Sequence, residues 1–292
     1  MFRQKSRESW LHLGDRNSKF FHSIVKVKTA RNHISSLISD NGSPISNHQE
    51  LKDMASEFYK KLFNHTGYWN LFPKLVPKRR LTAEAATWME RDVNAKEIQK
   101  AVFDIHPEKA PGPDGYNALF FQKNWKVVGE EVTQAVQSFF ETGKLLKAIN
   151  HTFVTLVPKI PSASSLTDYR PISCCNVLYK IITKVLSNRL KTIIGKLVSE
   201  HQSAFIKGRM ISDTALLAHE LVRDFNNPMG SRICLKVDLQ KAFDNANREF
   251  IYFIMHCVGF NRKWISWIRA CIENPSFSIM LNGSPSGYFT SN

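Results

Sequence analysis

An α+β fold is predicted for this 292-residue chain, and three observations predict it. Two short runs rich in β-branched residues, "HTFVTLVPK" from His151 and "SRICLKVDL" from Ser231, read as strands. The segments around them repeat their apolar residues at helical spacing. With 43% hydrophobic and 11% aromatic residues the chain can bury a sizeable core, so disorder is not the default.

The elements follow in chain order. In "GDRNSKFFHSIVKVKTARN", Phe20, Phe21, Ile24 and Val25 form an apolar stripe, with Lys19, Lys26, Lys28 and Arg31 supplying charge. This predicts a basic amphipathic helix. Phe20 and Phe21 suit either the core or stacking on bases, and core is the commoner use of such a stripe. "HISSLISDNGSPISNH" places Asn41-Gly42 between two short segments, a hairpin signal. "QELKDMASEFYKKLF" closes this unit as a helix.

A linker is placed from residue 65, where "HTGYWNLFPKLVPKRRLT" holds two prolines and little periodicity, and the core begins near Val93. "NAKEIQKAVFDI" and "GEEVTQAVQSFFETGKLL" read as helices on either side of "HPEKAPGPDGYN". The Pro and Gly of that loop fit a stiff connector, and they also fit close approach to another chain or a ligand. The strand at His151 ends at Pro158, and a loop containing Arg170 follows. In "NVLYKIITKVLSNRLKTIIGKLV" one helix is predicted, with Leu178, Ile182, Val185, Leu186, Leu190, Ile193 and Leu197 on its core face. After "EHQSAFIKGR" comes a helix capped by Ser212 or Asp213.

Forty Lys and Arg against 25 Asp and Glu give a net charge of +15 and pI ≈ 9.6, which favours a polyanionic partner. The excess is concentrated in residues 1–31, with eight basic and two acidic residues, and in 144–209, with eleven and two; residues 81–143 are net acidic. The five cysteines fit neither a metal-ligand spacing nor a disulfide framework and suggest a reducing compartment. The N-terminus has no apolar signal region and no run reaches membrane-spanning length, so a soluble chain inside the cell is expected.

The strand read at 231–239 stops at Asp238, and Ala242, Phe243, Ala246, Phe250, Ile254 and Val258 then repeat at helical spacing. A carboxylate leaving a sheet edge is a rigidly held oxygen ligand for Mg²⁺. It equally suits the cap of the following helix, and both readings stand. Asp244 fits a first-turn residue favoured by the helix dipole.

"KVDLQKAFDNANREF", together with "LVPKIPSASSLTDYRPIS", "HQSAFIKGR" and "KAPGPDG", resembles the fingers and early palm of reverse transcriptases from non-LTR (LINE-type) retrotransposons, particularly those of plants. The resemblance implies a right-hand polymerase, fingers and an incomplete palm, preceded by a helical and β-hairpin extension. The implied partition is extension 1–64, linker 65–92, fingers 93–230 and partial palm 231–292. It also implies two-metal nucleotidyl transfer with Mg²⁺, an RNA template, a DNA primer and deoxynucleotides.

By the same resemblance Asp238 is a catalytic metal ligand and Phe243 the gate under the incoming sugar, although Phe243 also fits a core aromatic. Arg170 is the triphosphate grip, a role suited to a planar, always charged fork, and Lys159 is a weaker candidate for it. Gln202, Lys207 and Arg209 lie along the template, and the basic extension with Lys26, Lys28 and Arg31 holds template RNA.

After Asp244 the sequence has no aspartate, so the family's adjacent aspartate pair is not seen and the 292 residues are expected not to extend a primer alone. The alternative reading is a non-catalytic RNA- or single-stranded-DNA-binding protein derived from such an element. A structural protein with a basic surface ranks below both. Nucleus or cytoplasm is the expected location.

Overall fold

The computed structural model describes residues 19–64, 72–223, 225, 233–239 and 246–291. Its elements begin with α1 (Lys19–Asn32), β1 (Leu37–Ile38), β2 (Pro44–Ile45), α2 (His48–Phe63), α3 (Ala83–Met89) and α4 (Ala95–Phe103). They continue with α5 (Ala118–Lys123), α6 (Trp125–Thr142), β3 (His151–Pro158), β4 (Tyr169–Cys175), α7 (Val177–Lys191) and α8 (Ile194–Leu197). The last are α9 (Ile211–Arg223), α10 (Arg248–Cys257), α11 (Arg262–Ile272), β5 (Ser276–Leu281) and β6 (Ser284–Thr290). This mixture of helix and sheet is the α+β class expected.

Contacts divide the chain into two units, Met1–His65 with Ala95–Ile182 and Glu273–Asn292, and Thr66–Asn94 with Thr183–Ile272. The units are discontinuous in sequence, with breaks after residues 65, 94, 182 and 272. The physical reason is strand pairing, since β5 near the end of the chain lies beside β3 in the middle.

In the first unit the expected hairpin forms, with Leu37 opposite Ile45, and Gly42 takes φ +83 in the turn. Asn47 caps α2 by accepting from the N–H groups of Gln49 and Glu50. Leu51, Ala55 and Tyr59 recur every four residues, so one face of α2 is buried. That face shares a core with Val154, Leu156, Ile279, Leu281 and Phe289 of the sheet. Each fully buried aliphatic side chain there contributes roughly 1.5–3 kcal/mol.

The sheet order is β4-β3-β5-β6, with β3 and β5 parallel and both outer pairs antiparallel. Pro171, which has no N–H to donate, sits on the edge strand β4. Asn282 and Gly283, with φ 50 and 87, form the two-residue turn between β5 and β6 that right-handed strand twist favours. Asn282 also receives the Ile34 N–H at 2.9 Å and donates to the Ile34 carbonyl at 2.8 Å, so it fastens the chain entering the first hairpin.

The second unit is built on helices. Arg189 stands in the buried stripe of α7, only 1% exposed, where an aliphatic side chain would ordinarily fall. Its guanidinium donates to the carbonyls of Met89, Arg91 and Asp92 at 2.8, 2.7 and 3.3 Å, closing the end of α3. Glu90 accepts from the Trp264 N–H at 2.8 Å and from Asn261 at 3.2 Å, capping α11. The expected linker therefore contains a helix that its own flanks tie down; residues 65–71 lie outside the described ones.

Three local expectations are corrected. The single helix read over 176–198 is two, α7 and α8, and Ile181 rather than Leu178 is on the buried face. Ser212 and Asp213 lie inside the first turn of α9 rather than at its cap. Residues 233–239 form no strand: no ladder hydrogen bonds reach them, and Ile233, Leu235, Val237 and Leu239 are 92%, 81%, 69% and 72% exposed. β-branched residues make a strand only where a partner supplies the ladder, and among the described residues none lies beside this segment.

Candidate nucleotide and nucleic-acid interface

The β3–β4 pair brings two of the expected phosphate contacts together. Val157 faces Arg170 across the ladder, and Lys159 follows directly after the last pair, Pro158 with Tyr169. The opposite side carries Val154, Leu156 and Tyr169 into the core. Arg170 and Lys159 are both exposed.

The connection between them is closed by its own polar groups. Ser165 and Asp168 form a capping box, and Asp168 accepts from the N–H groups of Ser165 and Ser164 at 3.0 and 3.1 Å. Those two bonds, with help from the Lys159 charge, hold the Asp168 carboxyl below its ordinary range despite some desolvation. The Lys159 N–H donates to the Asp168 carbonyl at 2.8 Å, and its ammonium reaches the Thr167 carbonyl at 2.6 Å.

The far end of β4 meets the "KAPGPDG" loop, at a residue the sequence reading missed. Asn176 is 5% exposed, accepts from the Asp114 N–H at 3.2 Å, and donates to the carbonyls of Ala148 and Ile149 at 2.9 and 3.4 Å. Lys180 donates to the Ala110 carbonyl at 2.9 Å. Gly112 is buried against this junction, where a Cβ would overlap the backbone of Cys175 and Asn176. The loop is thus a fitted part of the scaffold that carries Arg170. A polar residue immediately before a predicted helix was the available signal for Asn176.

On the parallel seam, on the same face of β3 as Val157, His151 Nδ1 and Ser276 Oγ are 2.9 Å apart and His151 Nε2 and Ser278 Oγ 3.3 Å, and the ring stacks on Tyr288. Burial lowers the imidazole pKa, with the Ser276 bond opposing.

Gln202, Lys207 and Arg209 share the segment after α8. Arg209 donates to the carbonyls of Gly195, Val198, Ser199 and Gln202, so its fork closes this turn. Gln202 donates to the Ala204 carbonyl at 3.3 Å, and Lys207 is exposed. On α1, Lys26 and Arg31 are exposed and Lys28 is half-buried.

Asp238 lies exposed in the unpaired 233–239 segment, neither ending a strand nor capping a described helix. The cap of α10 is Asn247, whose side chain accepts from the Phe250 N–H at 2.9 Å. Phe243 and Asp244 lie outside the described residues. Among the described residues, no three His, Cys, Asp or Glu side chains gather where a metal ion would be held, and no helix is long and apolar enough to cross a membrane.

Comparison with known proteins gives this arrangement its context. Residues 157–292 match the family described as reverse transcriptase (RNA-dependent DNA polymerase). Over 288 residues, 96% of the chain, the sequence is 25% identical to the transposon TX1 uncharacterized 149 kDa protein of Xenopus laevis. It is 23% identical over 68% of its length to the retrovirus-related Pol polyprotein from type-2 retrotransposable element R2DM of Drosophila melanogaster. A Pol polyprotein from type-1 retrotransposable element R2 of Popillia japonica is 21% identical over 65% of the chain. The chain spans 22%, 18% and 26% of these relatives. Residues 157–292 are thus similar to the reverse transcriptase family, and the relatives that cover most of the chain include Pol polyproteins of retrotransposable elements.

Proposed function

We propose that this chain supplies the template- and nucleotide-handling part of a LINE-type reverse transcriptase, of the plant kind by the wording of its motifs, working in the nucleus or cytoplasm on an RNA template and a DNA primer. The observation that carries the proposal is exposed Arg170 in the β3–β4 ladder with exposed Lys159 just past its end, both within the matched region. A cation on a rigid ladder with a second just past its end suits a triphosphate, because the pairing holds the backbone that bears Arg170 before the ligand arrives. In this reading the Arg170 fork grips phosphate oxygens and Lys159 adds a point charge.

Asp238 offers one carboxylate of the hard-oxygen type that Mg²⁺ prefers, and the metal, when bound, neutralises developing phosphate charge. Phe243 is proposed to exclude a ribose 2′-hydroxyl by clash. Gln202, Lys207 and Arg209 follow the template, and Lys26, Lys28 and Arg31 hold RNA in the extension. Residues 1–64, 93–230 and 231–292 serve as extension, fingers and palm modules of this machine.

The test is titration of the chain with a fluorescent deoxynucleoside triphosphate. Arg170→Ala should weaken binding by roughly ten- to a hundredfold, the value of a lost charge-assisted hydrogen bond, with Arg170→Lys intermediate. Equal affinity of all three proteins would remove Arg170 from the site. The alternative, an RNA- or single-stranded-DNA-binding protein without catalysis, is favoured by the basic zones of the sequence. It predicts nucleic-acid binding with no triphosphate binding.

A further inference from the structure

One carbonyl in the second unit is shared by two guanidinium groups that are far apart in sequence. Val198 O accepts from Arg79 Nη1 at 3.2 Å and from Arg209 Nη2 at 3.2 Å. A common acceptor holds the two donor nitrogens within about 6 Å of each other, a separation at which like charges repel unless an anion compensates them. Glu200 supplies part of that compensation, 3.0 Å from Arg79 Nη2, while remaining 84% exposed itself. It is the sole acidic residue in two stretches, 72–82 and 190–209, that together contain eight Lys and Arg.

We propose that these two stretches form one basic ridge that binds the phosphate backbone of nucleic acid. The proposal rests on the nucleic-acid reading above and adds residues 74–80, which that reading leaves out. Arg79 ties the segment to the turn after α8, and the Leu81 N–H donates to the Val258 carbonyl at 2.8 Å, so the run Lys78-Arg79-Arg80 is held at its centre and just past its C-terminal end. Pro73 and Pro77 restrict the backbone before it, which lowers the ordering cost of binding.

Lys78 and Arg80 adjoin Arg79 at the 3.8 Å spacing of consecutive Cα atoms, and both are exposed, as are Lys74, Lys196 and Lys207. Arg79 and Arg209 therefore build the turn, and the surrounding exposed cations are presented on it. A run of charge on a mobile loop would be solvated and of little consequence; here the charge is fixed to a second basic segment.

The chain and its triple variant Lys74→Gln/Lys78→Gln/Arg80→Gln are titrated with labelled single-stranded RNA over a range of salt. These three side chains carry none of the bonds that close the turn, so the fold should persist, checked by circular dichroism. If each neutralises one phosphate, the slope of log K against log salt falls by about two units at roughly 0.7 per contact. The pair variant Lys78→Gln/Arg80→Gln should lose about 1.4 units on the same reckoning, and serves if the triple variant does not fold.

Parental slope and affinity in a folded variant would overturn the ridge while leaving the general nucleic-acid reading intact. That result is also expected if the ridge serves an acidic protein groove. Failure of the unmodified chain to bind RNA at any salt concentration would overturn both readings together.

Discussion

The two stretches on which sequence motifs place nucleotide and template contacts are built in opposite ways. From His151 to Asn176 the polar groups are used locally, in a seven-pair ladder, a capping box, and an asparagine joining three backbone segments. From Ser199 to Leu239 the described chain is largely exposed, with Phe205 87% exposed at φ 64, α9 without a buried residue, and the 233–239 segment unpaired. A motif therefore carries different weight in the two places. Arg170 is positioned by the register of its strand, whereas Asp238 offers a carboxylate on a segment that makes no ladder with the described residues.

The largest expected effect tests the constructed end. Gly112→Ala places a methyl group against the backbone of Cys175 and Asn176, where no flexible side chain can yield. Overpacking of this kind costs about 1–3 kcal/mol, read as a lower midpoint in urea with unchanged slope. Gly115 is the control: it has open space around it but φ +77, so an alanine there meets strain without collision. Equal stability of Gly112→Ala and the parent would mean that the loop stands off β4 in solution, and the contrast between the two stretches would lose its main support.

Much of the constructed region is legible because its signals are local. Asn41-Gly42, the i, i+4 pattern of Leu51, Ala55 and Tyr59, and the apolar run from His151 each name an element without help from the rest of the chain. The parallel pairing of β3 with β5 is not legible, since more than a hundred residues separate strands that carry no mark of their partnership. Arg189 was hidden for another reason. An arginine at a core position reads as a solvated face unless one knows that the carbonyls ending α3 need a donor.

Asp238 fails in the opposite direction. The motif is recognisable from residue types, while the strand expected beneath it depends on a ladder that the segment cannot make with itself.

A smaller effect sharpens the comparison through pH. Burial lowers the His151 pKa, so the folded chain favours neutral imidazole and the unfolded chain binds the proton more readily. The stability contribution is fully present above the unfolded value of about 6.5 and is lost as pH falls through the depressed folded value. His151→Gln keeps a hydrogen-bonding side chain between Ser276 and Ser278 and should flatten the decline in urea midpoint below pH 6.5. An unchanged pH profile would show that the ring reaches solvent when protonated.

The smallest effect is expected where exposure is greatest, and it tests the other side of the contrast. Leu216 and Leu217 of α9 are 69% and 54% exposed, and the helix buries no residue. Burial is what gives an apolar side chain its stabilising free energy, so replacing these two removes almost none. Leu216→Gln/Leu217→Gln should shift stability by no more than about 0.5 kcal/mol, the ordinary range for surface substitutions, and should reduce self-association by removing apolar surface from water. A loss of 2 kcal/mol or more, about the value of one buried leucine, would mean that the face of α9 is covered in solution. The exposed stretch would then be as constructed as the β3–β4 pair, and the distinction between the two regions would disappear.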